Sequence, residues 1–227
     1  MEGIGHVPQI QLWGQPGEAL GTVNYVTVIM TWVVMAIIII ASVLIVRRLK
    51  EVPGRVQVVV ELFARMFDGL VKDALDSNAR GYLPLIGTLF IFLILSNWIG
   101  VIPGLEEPTR DINTPLSLGI MGFFVWHLSG VRAKGFFGYL KGFFEPIFFM
   151  MPLNVVGEVA KVISISFRLF GNIMGGAIII IVVSNLLFYL VVPVLLNGFF
   201  GIFVGSVQAF VFTMLYLTYT SVAVRSD

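Results

Sequence analysis

The sequence predicts an all-α integral membrane protein with five membrane crossings, an interfacial amphipathic helix, and its last two long helices strongly tilted as a hairpin. Three observations predict it. Of the 227 residues 58% are hydrophobic and 12% charged, the mean hydropathy is +0.97, and apolar runs long enough to span a bilayer recur along the chain. One soluble core of this size cannot bury so much apolar surface. No internal repeat and no low-complexity linker divides the sequence, so residues 1–227 read as a single helical membrane domain.

A spanning helix needs about 20 predominantly apolar residues. The first, 23–46, carries no charge and ends at Arg47 and Arg48. Residues 1–19 hold Glu2 and Glu18 but neither Lys nor Arg, so no signal peptide is expected and this run is expected to be retained. Pro53-Gly54 then marks a turn before 55–76, where Val56, Val59, Val60, Phe63, Phe67, Leu70 and Val71 recur at three- and four-residue spacing among Glu61, Arg65, Asp68 and Lys72. That pattern is an amphipathic helix lying in the interface. The second span, 82–102, stops at Pro103-Gly104, and the third, 112–131, is weakened by Pro115, several glycines and His127. A basic connector rich in Gly and Phe follows. The last two apolar segments, 152–184 and 197–224, are separated by Asn185, Pro193 and Asn197-Gly198. A helix over 152–184 would be about 50 Å long against a hydrocarbon core of about 30 Å, hence the tilt.

Charge sets the orientation. With the N-terminus outside, the inside loops and C-terminus hold eleven Lys and Arg, and the outside segments hold Arg110 alone. This positive-inside bias requires five crossings and a cytoplasmic C-terminus. A net charge of +1 excludes nucleic acid as a partner. With no cysteine and only His6 and His127, neither a metal nor a cofactor is expected.

Arg168 is the most informative residue, because a guanidinium stays ionised and here lies deep in an apolar segment, between Phe167 and Leu169. Near mid-helix such a charge costs about 2.5 to 3.5 kcal/mol and needs a partner or water. At about 100° per residue, Glu158, Lys161, Ser164, Arg168, Asn172 and Gly175 share an arc of about 120°. Ser166 points away and is expected to bond to its own preceding turn. Glu158 could pair with Arg168 to lock packing, but ten residues of helix separate them by about 15 Å. No acidic residue lies between Arg168 and Asp227. An anion from outside the chain is therefore the natural partner, either a substrate or a carboxylate on another subunit. Gly171, Gly175 and Gly176, with Gly198, Gly201, Gly205 and Gln208 on the last helix, form small-residue stripes. These read either as packing of the two helices on each other or as a surface for a moving neighbour.

The run PLNVVGEVAK over 152–161, followed by SISFRLFGN over 164–172, resembles the signature of subunit a of the rotary F-type ATP synthase. Ser96-Asn97, Pro103-Gly104, the run PTRDIN over 108–113 and QAFVF over 208–212 extend the resemblance over nearly the whole chain. It implies an ion-translocating stator, not catalytic by itself. Two tilted helices would face a ring of c subunits, each with one mid-membrane carboxylate, and b subunits would form the peripheral stalk. Arg168 matches the family's essential arginine, which would separate two offset half-channels and couple proton flow to rotation. Asn172 and Gln208 match polar positions beside it. Glu158, Lys161 and Ser164 would line the inner half-channel, and Asp111 and Asn113 the outer entrance, unless Asp111 serves as a loop carboxylate or helix cap. His127 is expected in a helix–helix hydrogen bond. No Gly-rich loop ending in Gly-Lys-Ser or Gly-Lys-Thr is present, so the chain is not expected to bind nucleotide.

Two positions depart from many relatives. Ala177 stands where they carry a carboxylate and Gly201 where some carry a histidine. Asn172, Ser184, Asn185, Tyr216 or water would have to serve the outer path instead. The alternative reading is an ion-coupled secondary transporter for an anionic substrate. A serine dyad of His127 and Ser129 is disfavoured because residues two apart face different sides of a helix.

Overall fold

The computed structural model describes residues 9–11, 22–75, 81–102, 104–144, 148–187 and 191–225. Two short strands, β1 (Gln9–Gln11) and β2 (Thr22–Asn24), pair antiparallel with Ile10 opposite Val23. Sequence alone did not suggest them. The chain then enters α1 (Tyr25–Arg47), whose start is capped by Asn24 accepting from the Val26 N–H at 3.0 Å. Of its residues only Val34 is buried, so α1 lies at the edge of the bundle with Ile29, Trp32 and Ile40 facing outward.

The amphipathic helix is α2 (Arg55–Leu75). Its second half docks, burying Phe67, Val71 and Leu75, and Phe63 and Phe67 gather with Phe90 at centroid distances of 4.7 to 5.8 Å. Val56 and Val59 in the first half stay exposed and Val60 and Phe63 are half-buried, so the apolar stripe is fully buried only from Phe67 onward, at Phe67 and Val71. Residue 76, its expected end, lies outside the described residues, as does Pro103. The central bundle is α3 (Leu83–Trp98), α4 (Asn113–Lys134), α6 (Met151–Leu187) and α8 (Gly205–Val224). Its core is built around Trp126, Tyr216, Phe212, Leu93, Ile165 and Leu169.

Among the described residues, five helical stretches are long and apolar enough to cross a membrane, as expected. Three local features differ from expectation. The basic connector contains α5 (Phe136–Gly142), which follows α4 across Gly135 at φ +75°, a backbone that favours glycine. The last crossing begins earlier than expected, with α7 (Val191–Gly198). Pro193 is tolerated there because first-turn N–H groups have no intrahelical acceptor. A π-helical stretch over Phe199–Val204 then joins α7 to α8.

The glycine stripe of the last helix packs differently from the expectation. A Cβ at Gly201 would meet Val101, and one at Gly205 would meet Asn97 at 2.8 Å, so these glycines admit the end of α3 rather than α6. Between the long helices Gly176 faces Phe200, whereas Gly171 and Gly175 have nothing within 4 Å. Gly122 lets α4 and α8 approach, since a Cβ there would lie 2.8 Å from both the Trp126 and Tyr216 rings. Gly122→Val is expected to cost about 1–3 kcal/mol by overpacking, seen as a lower unfolding midpoint in detergent.

Candidate functional site

Helix α6 has two unlike faces. Val162, Ile165, Ser166, Leu169 and Ile173 are buried against the bundle. Ser166 donates to the Pro115 carbonyl of α4 at 3.1 Å instead of to its own preceding turn, because Gly119 opens that crossing. On the other face Ser164, Arg168 and Asn172 are exposed, and Glu158, Lys161 and Gly175 are half-buried. Arg168 forms no hydrogen bond or ion pair among the described residues. Glu158 is engaged elsewhere: one carboxylate oxygen takes the Lys161 ammonium at 2.5 Å and the other accepts from Trp126 Nε1 at 3.1 Å. Lys161 also sits 5.2 Å from the Tyr219 ring centroid. Burial, and secondarily the Glu158 charge, push the Tyr139 phenol up to about 12, so it stays neutral beside this cluster. His127 makes no helix–helix hydrogen bond through Nδ1, which is buried without a partner among the described residues. Its ring instead packs 4.0 Å from Phe123, between Tyr139 and Phe143.

One helical turn beyond Arg168, Asn172 Nδ2 donates to Gln208 Oε1 of α8 at 2.8 Å. The structure thus brings Arg168, Asn172 and Gln208 into one neighbourhood where the two long helices meet. From Asn172 a cavity of about 300 Å³ runs away from the Glu158 cluster, along Ala177 and Ile181 of α6 and past Gly201 and Asn197. Its other wall is the loop after α3, through Glu106, Glu107 and Arg110. Ala177 and Gly201, the two departures noted in the sequence, both line this space, although the room left by Gly201 is filled by Val101.

In the sequence Glu107 reads as ordinary charge in the loop to Asn113, beside Glu106, Arg110 and Asp111. It is half-buried, and burial raises its pKa above the ordinary carboxylate value while Arg110 opposes the shift. Gly100 makes room for it, because a Cβ there would collide with the Glu107 side chain from Cγ to Oε1.

Asp111 and Asn113 lie at the same end of the bundle but on a second cavity, of about 470 Å³, between α1, α3 and α4. There Asp111 accepts from the Asn113 backbone and side-chain amides, each at 3.0 Å, and from the Thr27 hydroxyl at 3.2 Å. It therefore takes up the first N–H of α4 from just outside the helix and ties that end to α1. Of the other candidates for the outer path, Ser184 and Asn185 bond to carbonyls one turn back and Tyr216 is fully buried against Trp126.

Comparison with known proteins identifies the family. The model of the family described as ATP synthase A chain matches residues 28–221. The chain is 37% identical to ATP synthase subunit a of Moorella thermoacetica, over 86% of this chain and 88% of that protein. It is 42% identical to ATP synthase subunit a 2 of a Bradyrhizobium species, over 88% of each. A third relative, ATP synthase subunit a 1 of Hahella chejuensis, is 38% identical over 88% of this chain and 84% of its own length. The family match runs from within α1 almost to the end of α8. With five helices among its described residues long and apolar enough to cross a membrane, the chain belongs to the ATP synthase A chain family, the non-catalytic, multi-pass membrane subunit a of the bacterial ATP synthase.

Proposed function

We propose that this subunit is the ion-translocating stator of the membrane sector, with Arg168 separating two offset half-channels that serve the carboxylates of a c-subunit ring. The single observation that carries the proposal is the exposed Arg168, without an anionic partner among the described residues, on a face where Gly171 and Gly175 stand clear of any neighbour. A fixed guanidinium favours the ionised form of an approaching carboxylate, so the proton leaves before the carboxylate passes. The same charge repels protons that would otherwise leak directly between the half-channels. Asn172 and Gln208 orient and hydrate the site. Glu158, Lys161 and Ser164 line the path to the cytoplasm, and Asp111 and Asn113 stand at the outer end. Positive-inside bias puts the N-terminus outside and the C-terminus in the cytoplasm, and b subunits of the peripheral stalk hold the chain against rotation.

The sequence has no cysteine, which makes the test direct. A single cysteine at Gly171 is expected to form an oxidative crosslink with a c subunit carrying a cysteine about one turn from its mid-membrane carboxylate. A cysteine at Ile165, 1% exposed on the bundle side, should not crosslink. Failure at Gly171 together with failure at Phe167 would defeat the proposal.

A further inference from the structure

The 300 Å³ cavity reaches Asn172, yet the α6, α7 and π-helical residues along it bring no titratable group. Their polar contributions are the amides of Asn172 and Asn197, and Asn197 is already engaged with the Val101 carbonyl at 3.4 Å. Among the described residues, all the charge on this cavity comes from one loop, as Glu106, Glu107 and Arg110. Of its two carboxylates, Glu106 is exposed. Glu107 is half-buried and lies across Gly100, and it forms no ion pair among the described residues. Its position is fixed by the following turn: Thr109, fully buried, donates to Asn97 Oδ1 at 2.8 Å, and the Arg110 N–H returns to the Glu107 carbonyl at 3.1 Å.

We propose that Glu107 is the proton-exchanging group of the outer path, taking protons from water at the loop side and passing them through the cavity toward Asn172 and the ring. This rests on the stator reading above and names a residue for its outer half-channel. In each transfer a carboxylate oxygen of Glu107 accepts a proton from external water. The resulting carboxylic acid gives it to water in the cavity, regenerating the carboxylate, so no other reactant is needed. A partly desolvated carboxyl suits the task, because a relay works best when its pKa lies nearer the working pH than that of a free carboxylate. The charged groups facing it are Glu106 and Arg110. Burial lifts its pKa and Arg110 pulls the other way.

The test uses the assembled complex in vesicles with the soluble sector stripped off, in sodium-free buffer, following passive proton uptake driven by a potassium diffusion potential. Glu107→Gln is expected to slow flux about tenfold, below the usual benefit of a positioned proton-transfer group because water in the cavity carries part of the relay. It should also flatten the dependence of flux on loop-side pH, which a merely structural role would not do. Glu107→Asp should restore most of the flux and a pH dependence. The Gln variant should assemble normally, since it removes a burial cost that only the ionised form bears. Wild-type flux and pH profile in Glu107→Gln, with coupling still lost in Arg168→Ala, would overturn the assignment of Glu107 while leaving the stator reading intact. Equal loss in Glu106→Gln would overturn it as well. Full coupling in Arg168→Ala would bring down the stator reading, and the Glu107 role with it.

Discussion

Arg168→Ala is expected to reduce ATP-driven proton pumping by the reconstituted complex to the background of protein-free vesicles, while the complex still assembles. Two unit charges about 4 Å apart interact by about 4 kcal/mol at an effective dielectric constant of about 20. That is about three pKa units of help toward deprotonating a ring carboxylate. Without it the carboxylate keeps its proton as it passes and the ring can turn without delivering ions. Assembly should survive because Arg168 is exposed and bonded to nothing among the described residues, so alanine leaves no buried group unpaired. Passive flux through the stripped membrane sector should rise, since the charge that blocks direct passage is gone. Arg168→Lys keeps the charge but loses the planar fork, and an intermediate coupling ratio is expected. Pumping, hydrolysis and passive leak measured on the same vesicles check all three outcomes. Wild-type pumping per ATP in the alanine variant would sink the proposed role of Arg168.

What made Arg168 readable in the sequence is that its signal is local. A lone cation in a long apolar run, with polar residues recurring three and four positions away, defines a helix face without knowledge of any neighbour. The five crossings were readable for the same reason, since length and hydropathy are properties of single segments. The Glu107 carboxyl was not readable. Its environment depends on Gly100 seven residues earlier and on α6 and Gly201 far along the chain, contacts that leave no periodic trace. The glycines of the last helix show a related limit: their spacing announces a close approach but does not say which helix approaches, and α3 with the turn after it supplied the answer through Asn97 and Val101. Helix α5 was missed because seven residues containing Gly138 and Gly142 give too few turns for a periodic signal. The pairing of β1 with β2 joins segments separated by residues 12–21, and three-residue strands carry no alternation to count.

The other large effect is expected at Asn97, which connects the fold to the outer cavity. Its side chain is fully buried, with Nδ2 donating to the Gly205 carbonyl at 2.8 Å and Oδ1 accepting from the Thr109 hydroxyl at 2.8 Å. One amide therefore fastens both the start of α8 and the loop that carries Glu107. Asn97→Leu keeps similar bulk but removes both bonds and leaves the buried Thr109 hydroxyl unpaired. Interhelical hydrogen bonds in membranes contribute about 0.6 to 2 kcal/mol, and an orphaned buried polar group costs about 1–3 kcal/mol, so a loss of about 3 kcal/mol is expected. A lower unfolding midpoint in detergent would register it. Thr109→Val breaks only the second bond and should cost about half as much. Adding Thr109→Val to Asn97→Leu should cost almost nothing further, because the shared bond is already gone and the hydroxyl left unpaired is removed. Flux separates anchoring from bulk stability. Below the unfolding midpoint Thr109→Val should slow proton uptake through the stripped sector by releasing the Glu107 loop, whereas Gly122→Val, which strains the α4–α8 contact away from the cavity, should lower the midpoint and leave flux per folded complex unchanged. Additive losses in the double variant, or equal flux defects in Thr109→Val and Gly122→Val, would show that Asn97 does not hold the loop in this way.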